Sequence, residues 1–151
     1  MIRSLGIVHA DNYFRPEARE ALKEVLDQCD TVVVSGPTAS AKLTMVEELA
    51  REQGQPVRRF DLCSNTSVDD LVGRYTPDPK ETFRFEPGPA TEAVRHDEWL
   101  IVDGAETYRP RADERDVLGD LAGPDPHVDL PSGKRVAPET GDFKLIVVIH
   151  D

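Results

Sequence analysis

The chain has 151 residues, of which 18 are basic and 29 acidic, so its formal net charge is −11. This length suits one domain with a sizeable hydrophobic core. The acidic balance argues against a nucleic-acid-binding surface, because phosphate backbones repel a negatively charged face. Hydrophobic residues make up 38% and charged residues 31%, which is typical of a globular domain and not of a disordered or membrane chain.

Targeting features are absent from the sequence. No apolar run approaches the roughly 18–20 residues that cross a bilayer, and residues 1–8 lack a signal-peptide core and cleavage site. Cys29 and Cys63 are isolated and lack metal-ligand spacing, a pattern typical of reduced cysteines. We therefore expect a cytoplasmic protein with no membrane association.

Taken in chain order, the first half alternates predicted helices and strands. Apolar residues at helical spacing predict a helix that begins at Pro16 and ends at Cys29. Further patterns predict, in order, a strand at 31–34, a helix at 41–52, a strand at 57–62, a helix cap at 66–69, a turn at 77–80 and a strand at 82–85.

The second half continues the same alternation. The patterns predict a short helix at 89–97, a buried strand at 99–103, a helix at 111–122, a hairpin formed by 128–130 and 134–136, and a strand at 143–149. Strands alternating with helices indicate an α/β fold with a parallel sheet. No internal repeat or low-complexity tract is present.

A phosphate-binding loop is the strongest motif. The loop pattern G-x-x-x-x-G-K-[ST] after a strand cradles phosphates with backbone N–H groups and a lysine. In this chain Ala41 replaces the second glycine and Leu43 replaces the hydroxyl residue that would hold Mg²⁺. The candidate nucleotide-binding residues are Gly36, Pro37, Thr38, Ala39, Ser40, Ala41, Lys42, Leu43 and Thr44.

An acidic residue at the end of another strand completes this chemistry in P-loop ATPases. Asp103 follows a buried apolar run, so it is the candidate Mg²⁺ ligand. The next position, which often carries the water-positioning carboxylate, is Gly104. Glu106 lies two residues further along and would substitute only after a backbone rearrangement.

At this point the chain resembles the AAA+ ATPases of the MoxR and dynein-related (midasin-like) branch, over nearly its whole length. The segment SVDDLVGRY at 67–75 resembles that branch's D-L-x-G-R-Y, and FEPGPATEA at 85–93 resembles its G-P-L-x-x-A segment. The strand FKLIVVIHD at 143–151 is similar to its sensor strand, which places His150 at the sensor asparagine. Lys42 and Asp103 match the family, whereas Ala39, Ala41, Leu43 and Gly104 depart from it.

The resemblance implies a three-layer α/β/α sandwich of the P-loop NTPase type. It also implies that ATP with Mg²⁺ is the cofactor, that 74–87 and 127–138 are hairpins, and that the fourth strand lies between the first and third. The sequence ends before the family's arginine finger, fifth strand and helical lid, so we expect one truncated domain over residues 1–151. The first strand would then lie at a sheet edge, which residues 1–14 would cover.

Two functions from different classes remain open. One is an ATP-binding AAA+ domain with little or no hydrolysis. The other is a non-nucleotide-binding pseudo-ATPase that serves as an interaction scaffold. Either would act with a full-length AAA+ ATPase or a von Willebrand-type partner, and alone it would be a monomer or a weak oligomer.

The remaining candidates are weaker. His9, His96 and His127 are scattered and show no metal-site spacing, so no metal site besides Asp103 is expected. Arg58 and Arg59 are expected to be an exposed pair on a strand.

Overall fold

The computed structural model describes residues 5–80, 82–122 and 124–151. Its strands are β1 (Leu5–His9), β2 (Thr31–Gly36), β3 (Val57–Asp61), β4 (Gly73–Thr76), β5 (Arg84–Pro87), β6 (Trp99–Asp103), β7 (Val128–Asp129), β8 (Arg135–Val136) and β9 (Lys144–His150). Its α-helices are α1 (Pro16–Gln28), α2 (Lys42–Glu52), α3 (Val68–Val72), α4 (Pro89–Arg95) and α5 (Val117–Ala122). A short 3₁₀ helix covers Ala105–Thr107.

Five strands form one parallel sheet in the order β1-β2-β9-β6-β3. The β-branched runs of β2 and β9 pair in register from Thr31 with Leu145 to Gly36 with His150. The predicted parallel α/β sheet is therefore confirmed, and so is the expected position of β9 between β2 and β6. The parallel arrangement brings the carboxyl ends of all five strands to one edge.

The sheet lies between two layers of helices, which confirms the three-layer sandwich. One hydrophobic cluster joins α1 and α2 to the sheet through Leu22, Leu26, Val46, Val34 and Ile101. A second cluster joins α3, α4 and α5 to the opposite face through residues that include Leu71, Val94, Leu121, Leu100 and Leu145. The strands are buried on both faces at the centre, which explains their continuous apolar runs.

The N-terminal segment covers the sheet edge, as expected. Strand β1 pairs in parallel with β2 from Leu5 with Thr31 to His9 with Ser35. Gly6 permits close packing against α1, because a Cβ atom there would lie 2.3 Å from Cγ1 of Val25. Val8 is buried on the α1 side, whereas Leu5 and Ile7 are 62% and 68% exposed on the other face.

The predicted helix at 111–122 was wrong in its first half, because α5 begins only at Val117. Oδ1 of Asp116 accepts a hydrogen bond from the backbone N–H of Gly119 at 2.9 Å, the contact that an N-cap aspartate makes. The cap of α3 is likewise shifted by one residue, since the reciprocal capping pair is Ser67 with Asp70. Short polar side chains compete with the helix backbone, and apolar periodicity does not detect that competition.

Both expected hairpins are present. Strands β4 and β5 pair antiparallel from Gly73 with Pro87 to Thr76 with Arg84, so this hairpin begins one residue before the expected 74–87. Strand β7 pairs antiparallel with β8 within 127–138. Glu81, which the first hairpin includes, lies outside the described residues. None of the described helices is both long and apolar enough to cross a membrane.

Candidate functional site

The loop after β2 and the ends of β6 and β9 form the candidate site. Lys42 is the first residue of α2, Asp103 ends β6, and His150 ends β9. Since β9 lies between β2 and β6, the three residues converge at the carboxyl edge of the sheet. The fold thus brings together the lysine, acid and sensor positions that the sequence singled out.

The backbone φ angle is positive at two positions of the loop after β2. Gly36 has φ of 154°, and a Cβ atom there would lie only 2.2 Å from the carbonyl oxygen of Ala10. Ala41 is held in the left-handed region with φ of 65° and ψ of 28°. Its side chain therefore strains the backbone where glycine would not. Ala39 has no positive φ, so its departure from glycine carries no such strain.

Lys42 is turned back into its own loop. Its Nζ donates to the carbonyl oxygens of Gly36 at 2.8 Å and Pro37 at 2.5 Å, and to Oγ of Ser40 at 3.0 Å. The residue is 2% exposed. Burial lowers the pKa of Lys42, and the carboxylates of Asp151, Asp103 and Glu106 oppose that shift.

The other loop residues divide into exposed and packed positions. Pro37, Thr38 and Ala39 are exposed at the loop tip, and Thr44 is exposed on α2. Leu43 is partly buried and packs against the cluster under α1 and α2. The position that would offer a hydroxyl to Mg²⁺ therefore contributes to the core instead.

Both carboxylate oxygens of Asp103 are engaged by other side chains. Oδ1 lies 2.6 Å from Nε2 of His150, and Oδ2 accepts a hydrogen bond from Nη2 of Arg59 at 3.2 Å. Nδ1 of His150 is buried and has no hydrogen-bond partner among the described residues. Arg59 is 47% exposed as expected of a surface residue, but its contact with Asp103 was not predicted.

The residues that follow Asp103 also have structural roles. Gly104 has φ of 83° and starts the 3₁₀ helix, so a glutamate at this position would be strained. Glu106 is not placed to activate a water molecule, because its Oε1 accepts a hydrogen bond from the backbone N–H of His150 at 3.0 Å. It holds the end of β9 against the 3₁₀ helix.

Tyr13 ties the N-terminal segment to the phosphate loop, and sequence reasoning missed it. Its backbone N–H donates to the carbonyl of Ser40 at 2.8 Å, and its hydroxyl lies 2.6 Å from the carbonyl oxygen of Ser35. The ring is fully buried, and burial raises the pKa of Tyr13 to about 12. An open cleft of about 690 Å³ borders this segment and is lined by His9, Ala10, Asp11, Asn12 and Arg15 among others.

The residues present fit a phosphate group better than they fit a Mg²⁺ ion. The first-turn N–H groups of α2 have no intrahelical acceptor, and the adjacent Lys42 is the natural partner of an anion. For Mg²⁺, which prefers oxygen ligands, Leu43 offers none, and the oxygens of Asp103 already contact His150 and Arg59.

Comparison with known proteins agrees with this arrangement. The family model described as AAA domain (dynein-related subfamily) matches residues 31–121, more than half of the chain. A midasin from Dictyostelium discoideum is 35% identical over 72 residues, which are 48% of this chain and 1% of that protein. Protein CbbQ from Hydrogenophilus thermoluteolus is 28% identical over 116 residues, which are 77% of this chain and 42% of that protein.

A solved structure shares the fold. The structure of an ATPase candidate from Cytophaga hutchinsonii superposes with a TM-score of 0.59 at 16% identity, over 85% of this chain and 36% of that one. The chain thus spans less than half the length of each of these relatives. Together with the loop of Lys42 and the strand-end Asp103, the family match shows that the chain belongs to the dynein-related subfamily of AAA+ domains.

Proposed function

We propose that this chain is an ATP-binding AAA+ domain that hydrolyses ATP slowly or not at all and that acts with a partner ATPase. The observation that carries the proposal is the contrast between the two halves of the site. The phosphate-binding half keeps Lys42 at the start of α2, whereas Leu43 and Gly104 remove groups that hydrolysis needs.

Binding should be weak for two reasons. Nζ of Lys42 must leave three oxygen acceptors of its own loop before it reaches a phosphate. Ala41 also strains the loop in the conformation that the cradle requires. The cleft at the N-terminal segment is lined by His9, whose Nδ1 lies 2.9 Å from Oγ of Ser35 in β2, the residue before Gly36, and the cleft would accommodate the nucleoside.

Hydrolysis of any bound ATP should be slow or absent. A water-positioning carboxylate is missing at Gly104, and Glu106 is engaged with the backbone of His150. The contacts of Asp103 with His150 and Arg59 compete with a bound cation. In enzymes that transfer phosphoryl groups, catalysis comes mainly from positioning and charge stabilisation, and this site lacks both for the attacking water.

The alternative is a scaffold that binds no nucleotide. The internal hydrogen bonds of Lys42 favour it, because the ammonium group is already satisfied in the absence of phosphate. In that case the domain would serve only to contact other proteins. Measured affinity for nucleotide separates the two functions.

Partners are part of the same proposal. Members of this family assemble with nucleotide between neighbouring subunits, so we propose that a full-length AAA+ ATPase or a von Willebrand-type protein is the partner. Support comes from the family match and from the low hydrolytic capacity expected of this site.

Titration with a fluorescent ATP analogue, with and without Mg²⁺, tests nucleotide binding. We expect a dissociation constant on the order of 100 µM, which corresponds to roughly −5.5 kcal/mol, with little dependence on Mg²⁺. Lys42→Ala should abolish binding, whereas Lys134→Ala, in an exposed hairpin turn, should leave it unchanged. No binding by the wild-type chain at millimolar analogue would favour the scaffold.

Phosphate release by the purified chain tests the proposal that ATP hydrolysis is slow or absent. We expect turnover far below the roughly 1 s⁻¹ that is ordinary for enzymes. A rate near that value, lost in Asp103→Ala but retained in the surface variant Asp78→Ala, would contradict the proposal of degraded catalysis.

A further inference from the structure

A second group of ligand-type side chains lies away from the phosphate loop, between α5 and the β7–β8 hairpin. Asp120 lies on α5, Asp129 ends β7, and His127 immediately precedes β7. One ligand atom from each residue lies within 4.8 Å of the others. Nε2 of His127 is 3.8 Å from Oδ2 of Asp120 and 3.8 Å from Oδ2 of Asp129.

The imidazole of His127 has a defined orientation. Its Nδ1 lies 2.7 Å from the carbonyl oxygen of Asp125, which accepts hydrogen bonds and cannot donate them. Nδ1 therefore carries a proton, and in the neutral ring Nε2 presents a lone pair to the two carboxylates. A backbone carbonyl on one ring nitrogen is the usual support for a histidine whose other nitrogen binds a metal.

The carboxylate of Asp129 is also held in place from outside the group. Nε and Nη2 of Arg135 donate to its Oδ1 at 2.8 Å and its Oδ2 at 3.2 Å. Oδ2 of Asp129 has a second lone pair besides the one that Nη2 of Arg135 uses. Neither 3.8 Å separation from Nε2 of His127 is short enough for a direct hydrogen bond.

We propose that Asp120, His127 and Asp129 bind a divalent transition-metal cation, with Zn²⁺ as the preferred ion. A cation between the three groups satisfies their lone pairs together. Nε2 of His127 lies 3.8 Å from each carboxylate oxygen and all three ligand atoms lie within 4.8 Å of one another, so an inward shift of the side chains would bring them to bonding distances of roughly 2.0–2.2 Å. One imidazole with two carboxylates suits Zn²⁺ and its neighbours, whereas Mg²⁺ and Ca²⁺ prefer oxygen ligands alone.

The exposure of the three side chains leaves room for water. The side chains of His127, Asp120 and Asp129 are 18%, 36% and 31% exposed, so solvent would supply the remaining ligand. The bound ion would link the last turn of α5 to the hairpin. Sequence spacing missed this site because Asp120 lies on α5, whereas His127 and Asp129 lie at β7.

Calorimetric titration of the EDTA-treated, dialysed chain with ZnCl₂ near neutral pH tests the site. We expect one Zn²⁺ per chain and an increase in Tm on binding, with Mg²⁺ producing neither. His127→Ala and, separately, Asp120→Asn should each weaken Zn²⁺ binding at least about tenfold. Since Asp120 is partly exposed on a helix, Asp120→Asn keeps the test valid if His127→Ala does not fold.

Matched controls remove the other ligand types. His96→Ala deletes an exposed histidine that pairs with Glu92, and Cys63→Ser deletes an exposed thiol; both variants should bind Zn²⁺ like the wild type. Co²⁺ replaces Zn²⁺ as a spectroscopic probe, and its visible absorption should disappear in His127→Ala. Absence of Zn²⁺ binding, or equal binding by His127→Ala, would overturn the proposal.

Discussion

At the scale of single residues, backbone torsion explains where the chain departs from a standard phosphate loop. Ala41 occupies a left-handed conformation at the position where glycine is usual. Gly104 stands at the position of the family's catalytic carboxylate and adopts φ of 83°. This conformation favours glycine, so the backbone at this position suits the residue that has lost the carboxylate. The first departure costs stability, and the second one makes a simple reversion to glutamate unfavourable.

Replacing Ala41 by glycine should therefore stabilise the chain. The left-handed conformation costs alanine about 1–2 kcal/mol, of which the greater flexibility of unfolded glycine offsets about 0.4–1 kcal/mol. We expect a gain of between zero and about 1.6 kcal/mol for Ala41→Gly in urea unfolding. Ala39→Gly, at a residue without positive φ, should give no gain; equal gains at both positions would show that strain at Ala41 is not the cause.

Tyr13 makes stability sensitive to high pH. Burial raises its pKa to about 12 from an ordinary 10.0, so the unfolded chain releases this proton at lower pH than the folded chain. The free energy of unfolding should then fall as pH rises from about 10 towards 12. Urea unfolding of Tyr13→Phe should show a shallower decrease over this range, whereas Tyr75→Phe, at a partly exposed tyrosine, should follow the wild type.

At the scale of elements, β1 is one of the two edge strands of the sheet. It pairs with β2 along one side only, and α1 covers one of its faces. Leu5 and Ile7 remain exposed on the other face. The two faces of this strand should therefore differ in their contribution to stability.

Truncation on the two faces of β1 tests that difference. Val8→Ala removes buried methyl groups and should lower the free energy of unfolding by about 2 kcal/mol. Ile7→Ala, next to it on the exposed face, should change it by less than about 0.5 kcal/mol. A large loss for Ile7→Ala would mean that its face is covered in solution.

At the scale of the whole molecule, the acidic balance opposes self-association. The chain carries a net charge of −11, which disfavours contact between copies. Light scattering over about 10–100 µM, which corresponds to association energies of roughly −6.8 to −5.5 kcal/mol, should find a monomer or a weak oligomer, with and without ATP. A stable hexamer would contradict this expectation and would favour an active ring ATPase.

Much of the fold could be predicted because local sequence carries it. The β-branched runs of β2 and β9 identify buried parallel strands, and the predicted strand at Trp99–Asp103 matches β6 residue for residue. The start of α5 could not be predicted in the same way, since the side chain of Asp116 caps the helix by accepting a hydrogen bond from the backbone N–H of Gly119. The spacing of apolar residues indicates which face of a helix is buried. It does not indicate at which residue a polar side chain caps the helix.

For the site, the sequence by itself determined which chemical groups are present and which are missing. Lys42 and Asp103 stand in recognisable motifs, and Leu43 lacks a hydroxyl in any conformation. Only the tertiary structure decided what these groups contact. The hydrogen bonds of Lys42 stay within its own loop and depend on how that loop folds back on itself. The contacts of Asp103 with Arg59 and His150 join residues from three separate strands, and such contacts follow from strand order and register, which no local pattern encodes.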